Sequence, residues 1–295
     1  MFTATLIAAG KLKRGDISSG IDALDQAGCR PAQGAWVDEG DAADLIFAAD
    51  PQAARAALEA LARASGFDVI VQPSDAREKT LLVADMDSTM ITVECIDELA
   101  DYAGIKAQIA AVTEAAMRGE LDFAEALDAR VALLRDLDAS AIDRCRAERV
   151  TIMPGAKALV RTMKARGARA VLVSGGFTVF ADPVAAEIGF DVAIANRLGI
   201  ADGKLDGLVA RPIVDAATKR TTIEAERVAL GLETIATMAV GDGANDIPMI
   251  QAAGLGVAYH AKPRTAAAAA ARVDHGDLTA LLWAQGYARK DWVTE

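Results

Sequence analysis

The sequence predicts an α/β fold on a parallel sheet, preceded by a small α+β module. Two observations carry this. From Thr80 onward, short β-branched runs are each followed by Gly, Ser or Asp and then by a helix-like stretch. Before that point, residues 1 to about 75 follow a βαββαβ order. With 295 residues, two compact units, each burying its own core, are the starting expectation.

In the first unit we read a strand at Phe2–Ala8, a helix at Ile17–Ala27 and two short strands around Ala35–Val37 and Leu45–Ala48. A helix at Pro51–Ala64 and a strand at Val69–Gln72 complete it. This order matches a ferredoxin-like arrangement, with helices on one face of a small antiparallel sheet. The polar segment Pro73-Ser-Asp-Ala-Arg-Glu-Lys79 follows the last strand and reads as a linker, which divides the chain into 1–76 and 77–295.

In the second unit three runs matter most: Leu81–Ala84, Ala170–Val173 and Met238–Val240, each ending directly in polar residues. Ligands of open α/β sheets collect at those carboxyl ends. Between the first two runs, roughly residues 92–148 carry apolar residues at helical spacing and no strand pattern, which predicts a helical insertion over the rim of the sheet. The alanine run Ala266–Ala271 reads as plain helix.

Composition narrows the function. Hydrophobic residues make up 53% and charged residues 25%, without the long apolar run of a membrane span, so a soluble protein is expected. Met1–Gly10 has neither a basic start nor a small-residue cleavage site, which makes the cytoplasm the default. A net charge of −11 repels a phosphate backbone, so nucleic acid is a poor partner. Cys29, Cys95 and Cys145 are widely spaced and fit reduced, buried thiols better than a metal site or a catalytic thiol. His260 and His275 sit in polar surroundings and fit exposed structural roles.

The chemistry concentrates at the strand ends. Asp85-Met-Asp-Ser-Thr89 puts two carboxylates two residues apart, and Gly241-Asp-Gly-Ala-Asn-Asp246 adds two more, although each segment alone also reads as a turn or bend. If both lie at one sheet edge, the crowded like charges either raise their pKa values or recruit a cation, and a hard divalent ion such as Mg2+ resolves the conflict. Ser174-Gly175-Gly176-Phe177 places a hydroxyl and backbone N–H groups where an anion can sit, or forms a tight turn only. Lys219 alone is an ordinary surface lysine.

Taken in order, Asp85/Asp87, Ser174, Lys219 and Asp242/Asp246 resemble the four motifs of the haloacid dehalogenase-like (HAD) phosphatase superfamily. Within it, the phosphoserine phosphatase family is similar through Glu94-Cys-Ile-Asp97, Thr113-Glu-Ala-Ala-Met-Arg-Gly119, Pro154-Gly155 and Ser174-Gly-Gly-Phe-Thr178, over roughly Thr80 to Gly286. The resemblance implies a doubly wound parallel sheet with a helical cap, and Mg2+-dependent hydrolysis of L-phosphoserine through an aspartyl-phosphate. The alternative is a HAD-like phosphatase or phosphotransferase acting on another small phosphomonoester.

It also implies roles. Asp85 is the nucleophile and Asp87 the general acid and then base, while Mg2+ binds the side chains of Asp85 and Asp242 and the backbone carbonyl of Asp87, with Asp246 orienting that shell. Ser174, the Gly175 amide, Lys219 and Asn245 hold the phosphate. Glu94 pairs with the substrate ammonium, Arg130 grips its carboxylate, and Met117 and Phe123 pack near its carbon skeleton. The first unit resembles ACT-type domains in topology only. An L-serine effector and a homodimer are the expectations attached to it, with a passive dimerisation or solubilising module as the equal alternative.

Overall fold

In the computed structural model, which describes residues 1–118 and 120–294, the N-terminal module runs β1 (Phe2–Ile7), α1 (Arg14–Gln26), β2 (Pro31–Asp38), β3 (Ala42–Phe47), α2 (Pro51–Ser65) and β4 (Asp68–Pro73). Local chemistry sets its elements. In α2 the Asp50 carboxylate accepts the Ala53 N–H, Pro51 opens the first turn, and Gly66 closes the helix at φ 75°. The antiparallel sheet has the order β2-β3-β1-β4, as the ferredoxin-like reading requires. Leu24, Leu58 and Ala54 pack on one face with Leu6, Leu45 and Phe47.

The second unit continues with β5 (Leu81–Ala84), α3 (Cys95–Tyr102), α4 (Lys106–Met117), α5 (Phe123–Ala132), α6 (Ser140–Arg149) and α7 (Ala156–Ala165). Next come β6 (Arg169–Phe177), α8 (Thr178–Ile188), β7 (Val192–Asn196), β8 (Leu198–Ala201), β9 (Lys204–Val209) and α9 (Ala216–Ala229). It ends with β10 (Thr237–Gly241), α10 (Ile247–Ala252), β11 (Leu255–Tyr259), α11 (Pro263–Ala268), β12 (Ala271–Val273) and α12 (Ala280–Ala284).

Its parallel sheet has the order β12-β11-β10-β5-β6-β7. Both faces are covered, which is why these strands read as continuous apolar runs. Leu82, Ala84, Leu172 and Val240 pack toward Leu159 and Met163 of α7 and Phe180 of α8, and Leu81, Val83, Val171 and Val173 toward Ile223 of α9 and Met249 of α10. The three runs singled out in the sequence are the adjacent strands β10, β5 and β6, with Val240 beside Ala84 and Ala84 beside Leu172. Their polar ends therefore emerge side by side.

Helices α3–α6 form the insertion between β5 and β6. Its two roots pair as an antiparallel bridge between Ile91 and Ile152, reinforced by Thr92 N–H to Thr151 O at 3.0 Å and Met153 N–H to Met90 O at 2.9 Å. The hairpin β8–β9 is an element that the helix-and-run pattern does not include. It turns through Asp202 and Gly203, both at positive φ, and its backbone bonds to the insertion: Asp136 N–H to Leu205 O and Leu205 N–H to Leu137 O, both 2.9 Å.

Two segments differ from expectation. The 73–79 segment is polar, yet it is packed. Arg77 binds Asp44 at 2.6 Å and the carbonyls of Trp283 and Ala284 at 3.2 Å, and Lys79 is only 3% exposed, donating to Ile235 O at 3.0 Å. Its charges serve the junction between the two units. Burial lowers the Lys79 pKa to about 8. The alanine run leaves the helix at Ala269, whose backbone is extended, and Ala271 then pairs with Val257 as β12, because the open edge of β11 offers hydrogen bonds that helix propensity does not outweigh. All three cysteines are buried and free. No helix among the described residues is long and apolar enough to cross a membrane.

Candidate active site

Asp85 is the first residue beyond β5. Its N–H bonds Val240 O at 3.0 Å, which fixes it against β10, and the residue is 5% exposed. From α9, Lys219 reaches the same place fully buried and sets its ammonium 2.6 Å from Asp85 Oδ1 and 2.6 Å from Asp246 Oδ1. The surface-lysine reading of Lys219 thus gives way to a buried ion pair. The remaining oxygen of Asp246 accepts the Gly243 N–H at 2.9 Å. A β carbon at Gly241 would overlap the Asp246 carboxyl, so only glycine lets that acid lie under the β10 terminus.

The electrostatics show an excess of negative charge. Burial, followed by the charge of Asp246, pushes the Asp85 carboxyl well above its ordinary range, against the pull of Lys219. Burial and then Asp246 likewise raise Asp242 to about 6. Burial works against the Lys219 ammonium, but Asp85 and Asp246 outweigh it and raise its pKa. One buried cation contacts two of these acids, Asp85 and Asp246, and leaves the cluster short of compensation. Carboxylate oxygens of Asp85, Asp242 and Asp246 lie within 4.8 Å of one another, an all-oxygen donor set that suits a hard divalent cation.

Asp87 faces elsewhere. Its Oδ1 accepts the Cys95 N–H at the start of α3 at 2.9 Å, and its Oδ2 accepts the Ser174 hydroxyl at 3.3 Å. Burial raises its pKa, while the Cys95 bonds oppose the rise. Ser88, which follows, takes φ 55°, a left-handed conformation costing roughly 1–2 kcal/mol for a non-glycine residue, and its hydroxyl holds Glu94 Oε1 at 2.8 Å. The tight turn brings the root of the insertion over the acids.

Above them is a cavity of about 570 Å³ whose floor includes Asp85, Asp87 and Asp242 and whose insertion wall includes Glu94, Phe123 and Arg130. Glu94 touches cavity solvent, yet the surrounding walls and then Asp87 push its carboxyl up to about 7. Arg130 anchors its Nε on Ala126 O at 3.2 Å. Burial lowers its pKa, against the pull of Asp97 and Glu94. The Phe123 ring approaches Gly175 so closely that a β carbon there would stand 3.1 Å from it. Gly175 and Asn245 also line the cavity, Ser174 is fully buried behind Gly175 without lining it, and the Met117 side chain and Gly119 lie outside the described residues.

Sequence reasoning missed three polar residues here. Asp97 lines the cavity one helical turn after Glu94, and its i,i+3 spacing was a usable signal. Lys262 lines the opposite side, where its charge opposes the rise in the Asp242 pKa and its N–H bonds Asp242 O at 3.3 Å. Asn196 lies behind Gly175. No local pattern marks either of the last two.

A family model for haloacid dehalogenase-like hydrolases matches residues 82–251, from β5 through α10. The chain belongs to that family. As a member it shares 46% identity over 239 residues with the phosphoserine phosphatase of Streptomyces coelicolor, an alignment covering 80% of this chain and 58% of that protein. The chain thus spans less than two thirds of that relative's length. Among solved structures, a HAD family hydrolase from Salmonella enterica serovar Typhi superposes with a TM-score of 0.84 at 27% identity, covering 96% of this chain and 98% of the other. A probable phosphoserine phosphatase from Vibrio cholerae superposes with a TM-score of 0.79 at 32% identity, covering 98% and 88%.

Proposed function

We propose that this HAD hydrolase is a phosphoserine phosphatase, which converts L-phosphoserine to L-serine and inorganic phosphate. The observation that carries the reading is the pairing of a buried Asp85–Lys219 floor with an insertion wall that presents one acid, Glu94, and one base, Arg130, to the same cavity. A phosphorylated amino acid needs all three. Its phosphate meets the floor, its ammonium meets Glu94 and its carboxylate meets the guanidinium of Arg130.

In this reading an oxygen of Asp85 attacks phosphorus and the bond from phosphorus to the serine oxygen breaks. Asp87 gives its proton to that oxygen; its raised pKa keeps the proton available. Water then attacks the phosphorus of the acyl phosphate, Asp87 takes the water's proton, and Asp85 is released. Ser174, the Gly175 amide and Asn245 hold phosphate oxygens, and Lys219 balances charge on Asp85 and the phosphoryl group. The side chains of Asp85 and Asp242 and the Asp87 carbonyl would hold Mg2+, which would supply positive charge to offset the negative charge of phosphoryl transfer. Asp246, with both oxygens engaged, orients that shell. The helices of 92–148 act as a lid, with Phe123 against the substrate carbons.

The remaining assignments rest on this one. Residues 1–76 form an ACT-like module that takes L-serine as effector or pairs two copies of the chain, and 77–295 form the phosphatase unit, in the cytoplasm. A panel of phosphomonoesters assayed with Mg2+ and again with EDTA tests the proposal. L-Phosphoserine is expected to give the highest kcat/KM, and EDTA to abolish turnover. A higher kcat/KM for an ester lacking the ammonium or carboxylate would transfer the assignment to another small phosphomonoester.

A further inference from the structure

We propose that Asn196 is a positioning residue for phosphoryl transfer: its buried amide fixes the direction of the Ser174 hydroxyl and the starting point of the helix that carries Lys219. This deepens the phosphatase reading and rests on it.

Asn196 ends β7 and is 1% exposed. Its Nδ2 donates to Gly175 O at 2.9 Å and to Val214 O at 3.1 Å, and its Oδ1 accepts the Val214 N–H at 2.7 Å. Both amide protons and the oxygen are used. A buried asparagine is ordinarily just a satisfied core group. This one differs in what it holds, because each partner segment leads directly to a residue of the reaction.

On one side is the phosphate loop. The β6–β7 ladder slips between Val173 and Phe177, so Ser174-Gly175-Gly176 bows out of regular pairing, and Asn196 replaces the missing partner of the Gly175 carbonyl. In a trans peptide the C=O and the next N–H point in opposite directions. Anchoring Gly175 O therefore turns the Gly176 N–H the other way, where it donates to Ser174 Oγ at 2.8 Å. With that lone pair occupied, the Ser174 proton is directed into the site, where Asp87 Oδ2 lies 3.3 Å away.

On the other side is α9. Val214 precedes Asp215, whose carboxylate caps the helix through the Thr218 N–H at 2.8 Å, and Lys219 follows one turn into it. Both backbone groups of Val214 are held by Asn196. The Lys219 helix and the Ser174 loop therefore cannot shift apart without breaking these bonds.

A double-mutant cycle in the full chain tests this: wild type, Asn196→Ala, Ser174→Ala and the double variant, with kcat and KM for L-phosphoserine and an aryl phosphate, and folded fraction from urea unfolding. Asn196→Ala is expected to lower kcat about 100-fold on both esters, the usual scale for a misplaced reacting group. In the Ser174→Ala background the further loss should be only about tenfold, the part acting through Lys219. Thr162→Val is the control. It removes a buried hydroxyl that accepts the Val293 N–H at 2.8 Å, and it should keep kcat while losing stability. Should Asn196→Ala not fold, Asn196→Asp keeps the oxygen for the Val214 N–H but sets an acceptor against the Gly175 and Val214 carbonyls, and it must also lower kcat. Wild-type kcat in either folded variant, equal losses in both backgrounds, or an equal loss in Thr162→Val overturns the inference. If wild type hydrolyses only the aryl phosphate, the substrate reading fails, while the cycle on that ester still decides the role of Asn196.

Discussion

Lys219 Nζ lies 2.6 Å from Asp85 Oδ1, with both side chains withdrawn from solvent at the carboxyl end of the central strands. Such a pair is stabilising mainly in the sense that neither member tolerates the loss of the other. It also ties the stability of the sheet edge to its chemistry.

Lys219→Met should abolish turnover and lower the unfolding free energy near neutral pH by about 3–5 kcal/mol, the cost of leaving a buried charge unpaired. The deficit should shrink in acid. Asp85 has a native pKa raised above the ordinary 3.8, so between those values the native state binds more protons than the unfolded chain, and stability falls as pH rises through that window. Urea unfolding of wild type and variant across pH measures both effects.

Arg130→Ala should raise KM for L-phosphoserine on the order of 10- to 100-fold, from the loss of a charge-assisted hydrogen bond. KM for an aryl phosphate should change little, since that ester has no carboxylate. Equal changes in steady-state assays would remove Arg130 from substrate recognition.

Glu94 must be ionised to attract an ammonium, and its pKa stands at about 7. As pH falls through that value, the ratio of kcat/KM for L-phosphoserine to that for an aryl phosphate should fall. Glu94→Gln should flatten the ratio. The ratio is the useful readout, because Asp242, at about 6, affects both esters alike.

At the junction of the two units, Arg77→Ala should cost about 2–3 kcal/mol, because it leaves half-buried Asp44 without its guanidinium and takes one of two donors from each of the Trp283 and Ala284 carbonyls. A lower urea midpoint with little change in kcat is expected. An unchanged midpoint would mean that the segment is solvated, as a linker would be.

The readable parts of the sequence share a physical trait: their signal is local. Leu81–Ala84 followed by Asp85, or Val240 followed by Gly241-Asp242, shows strand, stop and acid within a few residues. The hairpin had such a signal too, in Asp202-Gly203 between apolar runs. Asn196, Lys262 and Arg77 had none. Their partners lie 18 to 207 residues away for Asn196 and Arg77, and only the folded chain brings a lone amide or guanidinium to the carbonyls it holds. The sequence of Lys219 carries the same lesson, since its burial depends on α9 crossing over β5 and β6.

The central question of the mechanism is which atom carries phosphorus midway through turnover. Enzyme quenched during steady-state hydrolysis of L-phosphoserine, then treated with tritiated borohydride, converts an aspartyl-phosphate to homoserine that peptide mass spectrometry locates. Label at position 85 alone, absent in Asp85→Asn, is the predicted result; label at any other residue, or turnover with none, would contradict it.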